Sequence, residues 1–283
     1  MAPLKETGLR GAFIKLLVVG MGSLILSTTF LGRGVFAEEI RQYSISGLKG
    51  NASSETEKIL SLTQLEVVGV KTISSTYFDR SMRYQGTRLR VISFSRLVDR
   101  FKPMDKADAV LLNCFDDYQG IVSLDEIRKY DLHLATDIEV RPGFKKPSWL
   151  NPLLTVVPDA ISAPRMERFM TANIRQLRFV RLEEYYAPLP SVTEASQEIQ
   201  AGLQAYKDNC IFCHSLEGVG GNKGLRLLEK YDFSSEQAKR RFESDFLGFH
   251  NKKNADKQDV EQFLARKHLR EIIHFLDYAD HRI

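Results

Sequence analysis

Three cysteines occur in the 283 residues, and two of them stand in the run Cys210-Ile211-Phe212-Cys213-His214. Two thiols at this spacing, followed at once by an imidazole, can form thioethers with the two vinyl groups of one porphyrin while the histidine ligates the iron. Two other chemistries use a pair of thiols so placed. A thioredoxin-like dithiol requires a strand before the motif and a strand-helix-strand frame, whereas helical sequence surrounds this one. A structural zinc site requires a second ligand pair, and the third cysteine, Cys114, stands alone far upstream. The reading that fits the spacing is one covalent haem c, with Cys210 and Cys213 as its thioether residues and His214 as the proximal iron ligand.

The segments around the motif have helical character. Ser196 to Cys210 reads as one helix, Ser234 to Phe246 as another, and Asp259 to Tyr278 as a third, with Leu269, Ile272, Ile273 and Leu276 in an apolar stripe. Upstream, the run Ala187-Pro188-Leu189-Pro190-Ser191-Val192-Thr193 carries two prolines and little periodicity, which makes residues 187–196 a linker. Before it, apolar or β-branched runs at Leu65 to Ile73, Leu89 to Phe94, Ala109 to Cys114, Leu153 to Val157 and Leu177 to Leu182 read as strands. Helical spacing at Ser54 to Leu62, Ser95 to Phe101 and Ser123 to Tyr130 lies between or beside them. The expected fold class is α+β, with a mixed domain over residues 38–186 and a small all-α domain over 197–283.

Residues 1–37 form a leader: basic residues up to Lys15, an apolar run from Leu16 to Leu31, then Val35-Phe36-Ala37 ahead of Glu38-Glu39. This is the layout of a secretory signal peptide, and an uncleaved anchor helix is the alternative. Either way the rest of the chain faces the far side of a membrane, which places it in a bacterial periplasm, with residues 16–31 or a partner providing any membrane association. The leader holds four basic residues against one acidic, so it carries +3 of the formal net charge of +4. The basic balance is therefore no sign of nucleic-acid binding. From Gln197 onward, 14 Lys and Arg face 14 Asp and Glu, and no charge cluster identifies a partner. With so few cysteines, an exported chain of this size does not rest on a disulfide framework.

Residues Gly202 to Asn209 before the motif and Gly218-Val219-Gly220-Gly221-Asn222-Lys223-Gly224 after it resemble the small class I cytochrome c domains, over about 80 residues from Gln197 to Tyr278. The resemblance implies that the helix before the motif crosses the last helix at a glycine against an aromatic, and Gly202 and Phe275 stand at those positions. Gly224-Leu225 replaces the Gly-Pro whose carbonyl orients the proximal histidine in that family, which implies a looser His214. The family also takes a methionine as sixth ligand from the loop before the last helix, yet every methionine here precedes the haem motif. His250, in that loop, and Lys257, nearer the usual methionine position, are the candidate distal ligands, followed by His268 or an open iron. A nitrogen ligand implies a reduction potential below that of His/Met cytochromes.

Tyr84-Gln85-Gly86-Thr87-Arg88-Leu89, Asp116-Asp117-Tyr118-Gln119-Gly120-Ile121-Val122-Ser123-Leu124, Asn151-Pro152-Leu153-Leu154-Thr155-Val156-Val157-Pro158-Asp159 and the strand Ile174 to Glu183 resemble, in that order, the sulfite-oxidase-type molybdopterin domain. That family holds molybdenum through a cysteine upstream of the Tyr-x-Gly segment. The matching stretch, Val70-Lys71-Thr72-Ile73-Ser74-Ser75, has none, so molybdopterin is not expected. Cys114 reads as a small buried hydrophobe and Asp116-Asp117 as a solvated turn. The function implied is an electron-transfer subunit rather than an enzyme, whose N-terminal domain docks a redox protein or a membrane-bound respiratory or oxidoreductase complex. The alternatives are a molybdopterin-dependent oxidoreductase passing electrons to its own haem, and a structural or assembly subunit.

Overall fold

The computed structural model describes residues 41–49, 56–250 and 264–282. The leader over residues 1–37, Lys257 and the start of the last expected helix lie outside the described residues. In chain order the elements are β1 (Tyr43–Leu48), β2 (Thr56–Leu60), α1 (Leu62–Leu65), β3 (Val70–Ile73), α2 (Thr76–Met82), β4 (Arg88–Ser93), α3 (Phe94–Phe101), β5 (Ala109–Cys114), β6 (Gln119–Ser123), α4 (Leu124–Lys129), β7 (His133–Glu139), β8 (Leu154–Val156), β9 (Ile174–Val180), α5 (Leu182–Tyr186), α6 (Gln197–Asn209), α7 (Leu227–Lys230), α8 (Glu236–Phe249) and α9 (Arg266–Asp280). The fold is mixed α+β, as the sequence implied. Among the described residues no helix is long and apolar enough to cross a membrane.

One sheet runs β2-β1-β9-β5-β6 and the other β3-β4-β7-β8. The pair β1 and β9 is parallel and the remaining pairs are antiparallel. Strand β5 shows why its sequence reads as a continuous apolar run. Val110, Leu112 and Cys114 face a core shared with β1, β9, α3 and α4, while Ala109 and Leu111 join a second cluster built mainly from the C-terminal helices. A strand covered on both faces has no solvent side on which to alternate. Through that second cluster the helices after residue 187 pack against the five-stranded sheet, and both belong to one compact unit over residues 40–283.

Two local expectations are corrected. Leu65 to Ile73 is not one strand: Ser61 caps α1 in a reciprocal capping box with Gln64, a 3-10 turn follows, and only Val70–Ile73 is extended. Within the helix expected at Ser54 to Leu62, Thr56–Leu60 is a strand, because it pairs with β1, and that pairing overrides its weak helical spacing.

The C-terminal helices follow their sequence closely. The Ser196 side chain caps α6 by accepting from the Ile199 N–H, and Cys210 is the residue that ends it. Helix α6 crosses α9 at Gly202, where a β-carbon would lie 2.1 Å from the Glu271 carbonyl oxygen and 2.8 Å from the Phe275 β-carbon. Beside the crossing, Tyr206 and Phe275 meet with ring centres 5.6 Å apart.

Candidate haem site

Helix α6 delivers Cys210 at its C-terminal end, and the chain then turns tightly. The amides of Cys213 and His214 both donate to the Cys210 carbonyl, at 3.1 and 2.9 Å. The buried Tyr206 hydroxyl donates to the His214 carbonyl at 2.5 Å, which ties the turn back to the helix. On the His214 ring, Nδ1 lies 2.6 Å from the Leu225 carbonyl oxygen. A carbonyl only accepts, so Nδ1 carries the proton, the tautomer in which Nε2 is able to ligate a metal. The sequence implied a loosened histidine for want of a proline here. The structure corrects that, because the orienting group is a backbone carbonyl, which leucine supplies as well. Gly224 is the residue this packing requires, since a β-carbon there would lie 2.5 Å from His214 Cε1.

Cys210, Cys213 and His214 line a cavity of about 810 Å³, which falls within the range of small-molecule and cofactor sites. Leu227, Phe242, Phe246, His250 and Leu264 form its far wall. The sheet region supplies Tyr118, Trp149, Glu167 and Met170. The lining suits a porphyrin: apolar and aromatic over its breadth, thiols and imidazole on one side, and polar atoms toward the sheet. Trp149 Nε1 is buried without a hydrogen-bond partner. Asp116 Oδ1 is likewise buried without a partner. Leu225 and Phe249, which also line the cavity, are 55% and 57% exposed, so it opens to solvent beside them.

His250 stands at the C-terminal end of α8, half-buried, and not as an exposed loop residue. Its ring stacks on Phe246 with centres 4.6 Å apart. Its Nδ1 lies 3.3 Å from the Phe246 carbonyl oxygen, and its ring centre is 6.3 Å from that of His214. His268 is on α9 and His133 is in β7, and neither lines the cavity. Among the described residues no three His, Cys, Asp or Glu side chains group as a metal site, so the motif has no partners there for a tetrahedral zinc centre.

The motif is locked to the edge of the larger sheet. The Gln119 N–H of β6 donates to the Phe212 carbonyl at 2.9 Å, and the Asn222 N–H donates to the Asp117 carbonyl at 2.9 Å. The approach is so close that a β-carbon on Gly221 would lie 2.0 Å from the Phe212 carbonyl oxygen. Phe212 and Tyr118 stack at 5.8 Å, and Lys223 pairs with Asp116 at 2.5 Å. The Asp116-Asp117 turn, with Asp117 exposed as the sequence reading has it, also makes a docking contact with the loop after the motif. Arg168 bridges Glu126 at 2.7 Å and Asp208 at 2.5 Å, joining α4 to α6.

Cys114 is buried in β5, its sulfur 3.6 Å from the Leu112 carbonyl oxygen, and burial pushes its thiol well above the usual range. Burial does the same to Cys210, the opposite of the lowered pKa that activates a redox dithiol. Sequence reasoning missed Trp149, Phe246 and the Leu225 carbonyl. For Phe246 a signal was present, since Phe242, Phe246 and His250 recur every four residues, as neighbours on one helix face do.

No protein-family model matches the chain, and no curated protein matches it. Among solved structures, the sulfane dehydrogenase SoxCD from Paracoccus pantotrophus aligns with a TM-score of 0.34 and 12% identity, over 52% of this chain and 40% of that one.

Proposed function

We propose that this chain is a monohaem c-type cytochrome that carries electrons for a larger redox assembly on the far side of a membrane. The observation that carries the reading is the placement of His214: its Nδ1 is held by the Leu225 carbonyl, and the imidazole lines one large, mainly apolar cavity together with both motif cysteines. Haem bound there supplies a one-electron iron couple. Cys210 and Cys213 would anchor it and His214 would ligate it. Tyr206 and Gly224 fix the turn and the imidazole, and the aromatic wall of Phe242 and Phe246 excludes water. Helices α6 to α9 then form the class I cytochrome domain, and the two sheets a sulfite-oxidase-like domain that acts as scaffold and docking body. A redox partner reaches the haem where exposed Leu225 and Phe249 flank the opening.

The test is a pyridine haemochrome assay and metal analysis of protein purified from a host with a c-type maturation system. One haem per chain that survives a denaturing gel, and is lost in the Cys210→Ser/Cys213→Ser variant, is the expected result. A chain that binds no haem covalently overturns the reading. Molybdenum stoichiometric with iron overturns its restriction to electron transfer.

A further inference from the structure

Resting on the haem reading above, we infer that His250 is the sixth iron ligand, so that the iron is held between two imidazoles, His214 and His250. The argument is one of span. A linear pair of metal–imidazole bonds of about 2.0 Å, with about 1.2 Å from each bonded nitrogen to its ring centre, places two ring centres about 6.4 Å apart. The observed separation is 6.3 Å. The 60° angle between the ring planes is compatible, because each plane contains the ligand axis and rotation about it changes no bond length. Both rings line the same cavity as the motif thiols.

The two imidazoles are also prepared in the same way. Each has Nδ1 near a backbone carbonyl oxygen, Leu225 at 2.6 Å and Phe246 at 3.3 Å, the kind of contact that orients a metal-ligating imidazole. Stacking on Phe246 at 4.6 Å and an edge contact with Phe249 at 5.3 Å fix the plane of the second ring. The three rings sit on one turn of α8, so His250 is presented by a helix end rather than by a flexible loop. The described lining of the cavity holds one methionine, Met170, which comes from the sheet region and not from the loop before the last helix.

The experiment uses the full haem-loaded chain, with electron paramagnetic resonance and near-infrared spectra of the ferric form. The expected wild-type result is a low-spin bis-imidazole signal without the sulfur-to-iron charge-transfer band. In His250→Ala the haem remains covalently attached at one per chain, the signal becomes high-spin, and added imidazole restores it. In His250→Met the charge-transfer band appears. A high-spin wild type, a low-spin His250→Ala, or loss of the low-spin signal in Lys257→Ala alone overturns the assignment while leaving the haem reading intact. A wild type without covalent haem overturns both.

Discussion

Gly202→Ala sets two physical effects against each other with opposite signs. In the interior of a helix, alanine is favoured over glycine by about 1 kcal/mol, so propensity alone predicts a more stable protein. The structure predicts the reverse. The new methyl carbon would lie 2.1 Å from the Glu271 carbonyl oxygen, 2.8 Å from its carbon and 2.8 Å from the Phe275 β-carbon. All three obstacles are backbone or β-carbon atoms, which no rotamer change can move aside. Helix α9 must therefore shift as a body, which parts Tyr206 from Phe275 and opens the cluster around Leu269, Ile272 and Leu276. Overpacking of this kind costs about 3 kcal/mol or more where nothing flexible can yield, and subtracting the propensity gain leaves a net loss of about 2 kcal/mol. For a chain of this size that lowers the melting temperature by about 4–8 °C. Thermal unfolding of the purified protein, followed by far-ultraviolet circular dichroism, measures it. An unchanged or raised melting temperature would refute the claim that α6 and α9 meet backbone to backbone at this residue.

Arg168→Met removes the bridge between Glu126 and Asp208. The arginine side chain is 12% exposed and its partners 21% and 26%, so water partly relieves the stranded carboxylates, and urea denaturation should show a loss of about 2 kcal/mol rather than the larger cost of a fully buried pair. The Asp159 carboxyl is held below its ordinary value of 3.8: burial raises it, but hydrogen bonds from the Ser74 hydroxyl and the Thr76 amide and hydroxyl outweigh that. A depressed native pKa contributes stability that is present above the unfolded value and lost as pH falls through the native one, so Asp159→Asn should flatten the acid limb of the stability profile below about pH 4 and leave pH 7 slopes unchanged.

The parts of the fold legible in sequence are those where one local rule acts alone. Ala109–Cys114 was read correctly as a strand because an unbroken apolar run needs cover on both faces, and α6 because Ser196 caps it and an apolar face follows. Strand β1 was missed because Tyr-Ser-Ile-Ser-Gly-Leu has small polar residues where a strand usually shows bulk, and pairing with β9 supplies what the side chains do not. The site divides in the same way. Cys210, Cys213 and His214 are contiguous, so their relation is printed in the sequence. The Leu225 carbonyl is a backbone atom that any residue carries, and Trp149 is 61 positions from Cys210, brought near only by the docking of the helices on the sheet. His250 was nameable from its place before the last helix, while its distance from His214 needed the fold.

The bond from Gln119 to the Phe212 carbonyl has a cellular consequence. Strand β6 is the outer member of its sheet, and an uncovered outer strand is a template for pairing with other chains. Here the cover is the Cys210–His214 turn itself, held to the strand by the Gln119–Phe212 and Asn222–Asp117 bonds and the Lys223–Asp116 pair. The same few backbone atoms that place the motif also deny the strand's outer edge to a second chain, so a substitution that pries the turn loose should lower soluble yield during expression along with the order of the motif.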